Sequence, residues 1–134
     1  MTENSKNNGT IFLVDDDRFL LDIYSVKFKE SGFSVIANVD PQDALKKLRE
    51  GTKPDIILLD VIMPNMTGFE LLETARNEKL IEDATVIILS NQGHDDDIQK
   101  ANELGADGYI IKASAIPSEV LTKTLEFVNQ KKSG

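Results

Sequence analysis

Five short apolar runs punctuate the chain: IFLV at 11–14, FSVIANV at 33–39, DIILL at 55–59, TVIIL at 85–89 and GYII at 108–111. Each is rich in β-branched residues and has the length of a strand. Three of them lack a polar–apolar alternation, the pattern of strands covered on both faces, as in a parallel sheet. Between the runs the apolar spacing becomes helical. Leu20 or Leu21, Tyr24 and Phe28 form one stripe, closed by Gly32. Asp40 before Pro41 is a helix start, with Ala44, Leu45 and Leu48 following and Gly51 closing. Thr67 can cap a helix carrying Leu71, Leu72 and Ala75; Asp95–Asp97 precede one with Ile98 and Ala101, closed by Gly105. Leu121, Thr124, Leu125 and Val128 give the i, i+3, i+4, i+7 stripe of a last helix. Strand and helix therefore alternate along the whole chain. That order implies right-handed crossovers and a parallel sheet with helices on both faces. The strand C-termini then share one edge, where ligands of such α/β folds bind.

With 134 residues and 40% hydrophobic content, the chain is sized for one domain with a real core. The expected organisation is a disordered leader over residues 1–9, a folded domain over 10–130 and a frayed C-terminus over 131–134. A formal net charge of -8 argues against direct binding to nucleic acid or an anionic membrane. The absence of cysteine excludes disulfides, thiol catalysis and thiolate metal sites. No apolar run approaches the ~20 residues that span a bilayer, and the first ten residues hold no apolar signal core. A soluble, cytoplasmic chain is expected.

The candidate chemistry sits on the shared strand edge. The first run ends in Asp15, Asp16 and Asp17, the third in Asp60, the fourth in Ser90 and the fifth in Lys112. The second ends in Asn38 and Val39, with no obvious reactive group. Clustered carboxylates repel one another unless they share a cation, and an oxygen-only donor set selects a hard ion such as Mg²⁺. A lysine and a hydroxyl nearby could hold phosphoryl oxygens, and a carboxylate in line with the phosphorus could be the nucleophile. Taken singly, each residue has an ordinary explanation: Asp17 as a helix cap, Asp60 as a turn residue, Lys112 as a solvated lysine, Tyr109 as half-buried surface. Their joint arrival at four strand ends favours a site. His94 with Asp95–Asp97 reads better as an acidic first helical turn complementing the helix dipole than as a second metal site.

The pieces LVDDDRF, LLDVIMPNMTG, VIILS and GADGYIIK, in this order and spacing over roughly residues 10 to 130, resemble the receiver domain of bacterial two-component response regulators, the chemotaxis regulators among them. The resemblance implies a single flavodoxin-like (βα)5 domain with a parallel five-stranded sheet of order 2-1-3-4-5. It implies Asp60 as phosphoacceptor, Asp15 and Asp16 as the acidic pair holding Mg²⁺, and the backbone carbonyl of Ile62 as a further ligand. Ser90 would be the switch hydroxyl, Lys112 the partner of the phosphate and Tyr109 the aromatic that turns inward. The implied partner is a sensor histidine kinase or phosphotransfer protein. The surface that changes would span residues 91 to 128, read by an effector or by a second copy in a phosphorylation-dependent homodimer. Ile62 and Gln92 would flank the path of the hydrolytic water. One position departs from the family pattern: Ala113, not proline, follows Lys112. The expectation there is a trans bond with a rearranged loop or a strained cis bond.

Two other functions share this chemistry. A haloacid dehalogenase-type phosphatase also forms an aspartyl phosphate, but Phe19 stands where that signature needs Thr or Val. A binding-only pseudo-receiver typically lacks the acceptor or the acidic pair, and here all are present.

Overall fold

The structure, a computed structural model, describes residues 8–133. The chain order is β1 (Thr10–Val14), α1 (Arg18–Glu30), β2 (Ser34–Asn38), α2 (Pro41–Arg49), β3 (Ile56–Leu59), α3 (Gly68–Asn77), β4 (Thr85–Ser90), α4 (Asp95–Glu103), β5 (Gly108–Ile111) and α5 (Pro117–Ser133). All strand pairs are parallel and the sheet order is β2-β1-β3-β4-β5.

The missing alternation in the central runs has a direct cause. Phe12, Val14, Ile57, Leu59, Val86 and Ile88 point to one face, against Leu45 and Leu48 of α2 and Leu71 and Leu72 of α3. Ile11, Leu13, Ile56, Leu58, Ile87 and Leu89 point to the other, against Leu21, Tyr24 and Phe28 of α1 and Val120 of α5. Successive strand residues alternate between two apolar layers, so both must be apolar. Each such side chain contributes roughly 1.5–3 kcal/mol by leaving water.

The helix starts follow local chemistry. Asp17 accepts the Leu20 amide at 3.2 Å, Asp40 accepts the Gln42 amide at 2.8 Å with Pro41 at the first turn, and Thr67 forms a reciprocal capping box with Glu70. α4 begins without a side-chain cap; Asp95, Asp96 and Asp97 fill its first turn instead. Gly32, Gly51 and Gly105 close their helices at positive φ.

Three details differ from the sequence expectation or decide between its branches. Asn8 and Gly9, assigned to the leader, are already tied down: Asn8 N donates to Gly32 O and Ser34 N to Gly9 O. Residues 1–7 of that leader lie outside the described residues. α5 runs on to Ser133, through positions assigned to a frayed end, and Lys131 Nζ reaches the Ala84 carbonyl at 2.8 Å and Asp107 at 3.1 Å. Residue 134 is outside the described residues. Among the described residues no peptide bond is cis. Lys112–Ala113 is therefore trans, and the chain turns after β5 through a short 3-10 helix, Lys112–Ser114.

Candidate functional site

The parallel ladder delivers the acids to one place. Asp15 extends β1 by one residue, its amide donating to Asn38 O at 3.1 Å, and Asp60 extends β3, its amide donating to Val14 O at 2.9 Å. Both side chains are held back toward the sheet: Asp15 is 3% and Asp60 6% exposed. Asp15 Oδ1 accepts the Asp17 amide, and Asp60 Oδ1 accepts the Val61 amide, both at 2.9 Å. Asp16 lies exposed beside them, and one oxygen from each of Asp15, Asp16 and Asp60 falls within 4.8 Å of the others.

Lys112 enters from the far side of the chain. Its buried Nζ donates to Asp15 Oδ2 at 2.6 Å and lies 3.5 Å from Asp60 Oδ2. Three carboxylates facing one ammonium leave two negative charges uncompensated when all are ionised. The donor set is all oxygen and the site as a whole is doubly negative, which fits a hard divalent cation. Asp60 carries the cost of this arrangement. Burial, the largest cause, together with the charges of Asp15 and Asp16, pushes its pKa up to about 6, against the pull of Lys112 and the Val61 amide. Burial lowers the Lys112 pKa, but the hydrogen bond and charge of Asp15 and the charge of Asp60 outweigh it and raise it overall.

Ser90 ends β4 and is buried; its Oγ accepts the Gln92 amide at 3.4 Å. Tyr109, half-buried on β5, donates its hydroxyl to the Gln92 carbonyl at 2.8 Å. Ile62 is 73% exposed. Asp15, Asp16, Asp60, Ile62, Ser90 and Lys112 all line one cleft of about 320 Å³. The residues singled out on the strand edge thus meet, with Tyr109 one step behind Ser90. Asp17 serves as the α1 cap. His94 bonds the Gln92 side chain at 2.6 Å, and among the described residues Asp95–Asp97 form no metal-like cluster.

One residue next to the site carried little signal in the sequence. Asn38, with no obvious reactive role in the sequence, is 3% exposed and fully engaged. Its Nδ2 donates to Leu13 O at 3.1 Å, its Oδ1 accepts Lys47 Nζ at 2.7 Å, and its carbonyl holds the Asp15 amide. An asparagine ending an apolar edge run was the available signal, but its partner Lys47 sits on a helix that no local spacing connects to it.

The sequence matches the family model of the response regulator receiver domain over residues 11–126. The alkaline phosphatase synthesis transcriptional regulatory protein PhoP of Bacillus subtilis is 35% identical over 113 residues, covering 84% of this chain and 45% of that protein. The chain spans about half the length of the curated relatives it matches. Among solved structures, a CheY-like response regulator receiver domain protein from Methanospirillum hungatei superposes with a TM-score of 0.81 at 30% identity, covering 98% of this chain and all of that one. Chemotaxis protein CheY4 of Vibrio cholerae gives the same TM-score, 0.81, at 27% identity, covering 93% of this chain and 99% of that one.

Proposed function

Because the chain belongs to the response regulator receiver domain family of two-component systems, we propose that it is a signalling switch in which Asp60 accepts a phosphoryl group from a phosphohistidine. The observation that carries this is the placement of a buried Asp60 carboxylate beside Asp15, Asp16 and Lys112 at the floor of an open cleft. An Asp60 oxygen attacks the phosphorus in line, the P–N bond of the donor imidazole breaks, and the imidazole nitrogen leaves and takes up a proton. Lys112, its ammonium 3.5 Å from Asp60, holds a phosphoryl oxygen and balances its charge. The Ser90 hydroxyl gives up the Gln92 amide to reach another. Asp15, Asp16, Asp60 and the Ile62 carbonyl would hold Mg²⁺, which offsets the charge gathering on the phosphoryl oxygens. Hydrolysis of the acyl phosphate at the same site would reset the switch.

The donor is a histidine kinase or phosphotransfer protein. Phe19, at the start of α1, Ile62 and Ile116, in the loop before α5, are exposed large apolar side chains on the same sheet edge as the cleft. They supply apolar surface against which a donor could pack. The relatives named as transcriptional regulators are about twice this length, and the effector of this chain is a matter for partner capture with and without a phosphoryl analogue.

Acetyl phosphate with Mg²⁺ should give a labile adduct of one phosphoryl group by mass spectrometry, and Asp60→Asn should abolish it, because an amide is a poor nucleophile. Stoichiometric phosphorylation of Asp60→Asn would overturn the assignment of the nucleophile.

A further inference from the structure

We propose that Asn38, anchored by Lys47, is a positioning residue for the cation site, so that the edge strand β2 and helix α2 set the Mg²⁺ affinity of Asp15 and Asp16. The inference rests on the reading that Asp15, Asp16 and Asp60 hold Mg²⁺.

The geometry is a brace in three parts. The Asn38 carbonyl takes the Asp15 amide at 3.1 Å, which fixes where the chain leaves β1. The Asn38 side-chain amide nitrogen donates to Leu13 O at 3.1 Å, two residues before Asp15 on β1. The Asn38 amide oxygen is taken by Lys47 Nζ at 2.7 Å. Each polar atom of this buried side chain is matched, so the amide has a single favourable orientation. Asp15 is thereby gripped from two sides: by Asn38 through its backbone, and by the Asp17 amide and Lys112 through its carboxylate. Asp16, exposed and next along the chain, takes its position from Asp15. Residues that orient the ligands of a metal, without touching it, commonly change affinity ~10–100-fold when removed. Neither Asn38 nor Lys47 lines the cleft, so any effect must pass through the turn.

Mg²⁺ binding is measured by calorimetry on the unphosphorylated chain, with magnesium chloride as the titrant. Asn38→Ala should weaken it about 10-fold, with Mg²⁺-induced amide shifts altered at Asp15 and Asp16. Lys47→Met supplies the sharper arm. Coulomb's law alone predicts that losing a positive charge tightens binding of a cation; loss of the brace predicts weaker binding, and Lys47→Arg should restore it. Ile81→Val, a core change at the opposite pole of the sheet, controls for loss of stability and should bind as wild type. Unchanged affinity in Asn38→Ala, or tighter binding in Lys47→Met, would overturn the inference. A wild-type chain that takes up no Mg²⁺, or whose uptake ignores Asp16→Asn, overturns the underlying reading of the site and this inference with it.

Discussion

Asp60 shows how burial of a single carboxylate costs stability. Its ordinary pKa of 3.8 is raised to about 6 in the fold, chiefly by burial. The native state therefore holds this proton more tightly than the unfolded chain does. Between pH ~4 and ~6 unfolding releases a proton, so stability falls as pH rises through that window and the full penalty is present above it. Asparagine carries no such charge. In the presence of a metal chelator, Asp60→Asn should stabilise the protein at pH 7 by about 1–3 kcal/mol, and the gain should fade toward pH 4. Thermal melts at the two pH values decide this; an equal gain at both would show that the carboxylate's ionisation is not the cause. Ile62 poses a second question at this scale. It is exposed at the cleft and offers no polar atom to orient a water. Ile62→Asn should speed release of phosphate from phosphorylated Asp60, and an unchanged or slower decay would refute the shielding role.

At the scale of elements, the first turn of α3 presses on the backbone of Asp60, the proposed acceptor. An added Cβ at Gly68 would collide with the Asp60 carbonyl oxygen and stand 3.1 Å from Val61 Cα. Glycine is needed there for close approach, since backbone atoms cannot swing aside as a flexible side chain would. Gly68→Ala should cost about 1–3 kcal/mol by overpacking and lower the yield of the Asp60 adduct as the loop after β3 shifts. Thr67→Ala, which opens the capping box one residue earlier, should cost only about 1 kcal/mol. Urea unfolding of the two variants ranks them; a harmless Gly68→Ala would show that α3 can slide away from the site.

Across the whole molecule, the candidate site and the proposed readout share one strand edge. Ser90 and Tyr109 both contact Gln92, through its amide and its carbonyl, in the loop that leads into α4. In the proposed switch, moving the Ser90 hydroxyl toward a phosphate would break the first contact and free the loop to follow. Such a shift would bias an equilibrium between two arrangements of the same fold. Amide resonances over residues 91 to 128, covering α4, β5 and α5, should therefore move on adding beryllofluoride and Mg²⁺. Changes confined to α1 and α2 would contradict this.

Much of this was legible in the sequence, because it depends on neighbours along the chain. Two-sided burial wrote itself as unbroken apolar runs at β1, β3 and β4. Asp17, Asp40 and Thr67 announced the starts of α1, α2 and α3, since a cap bonds amides two or three residues away. Because every strand runs the same way, the residue ending each run was bound to reach one edge, and so Asp15, Asp60, Ser90 and Lys112 could be grouped before any contact was known. Spacing says nothing about which groups touch across the fold. That Lys112 pairs at 2.6 Å with Asp15, 97 residues away, and only at 3.5 Å with Asp60 was settled by packing. So were the raised pKa of Asp60, the trans turn after Lys112, and the recruitment of an apparently inert Asn38 by a lysine on α2. Local chemistry fixes where a chain bends and which face it buries; desolvation and the pairing of distant charges exist only once the layers have closed on one another.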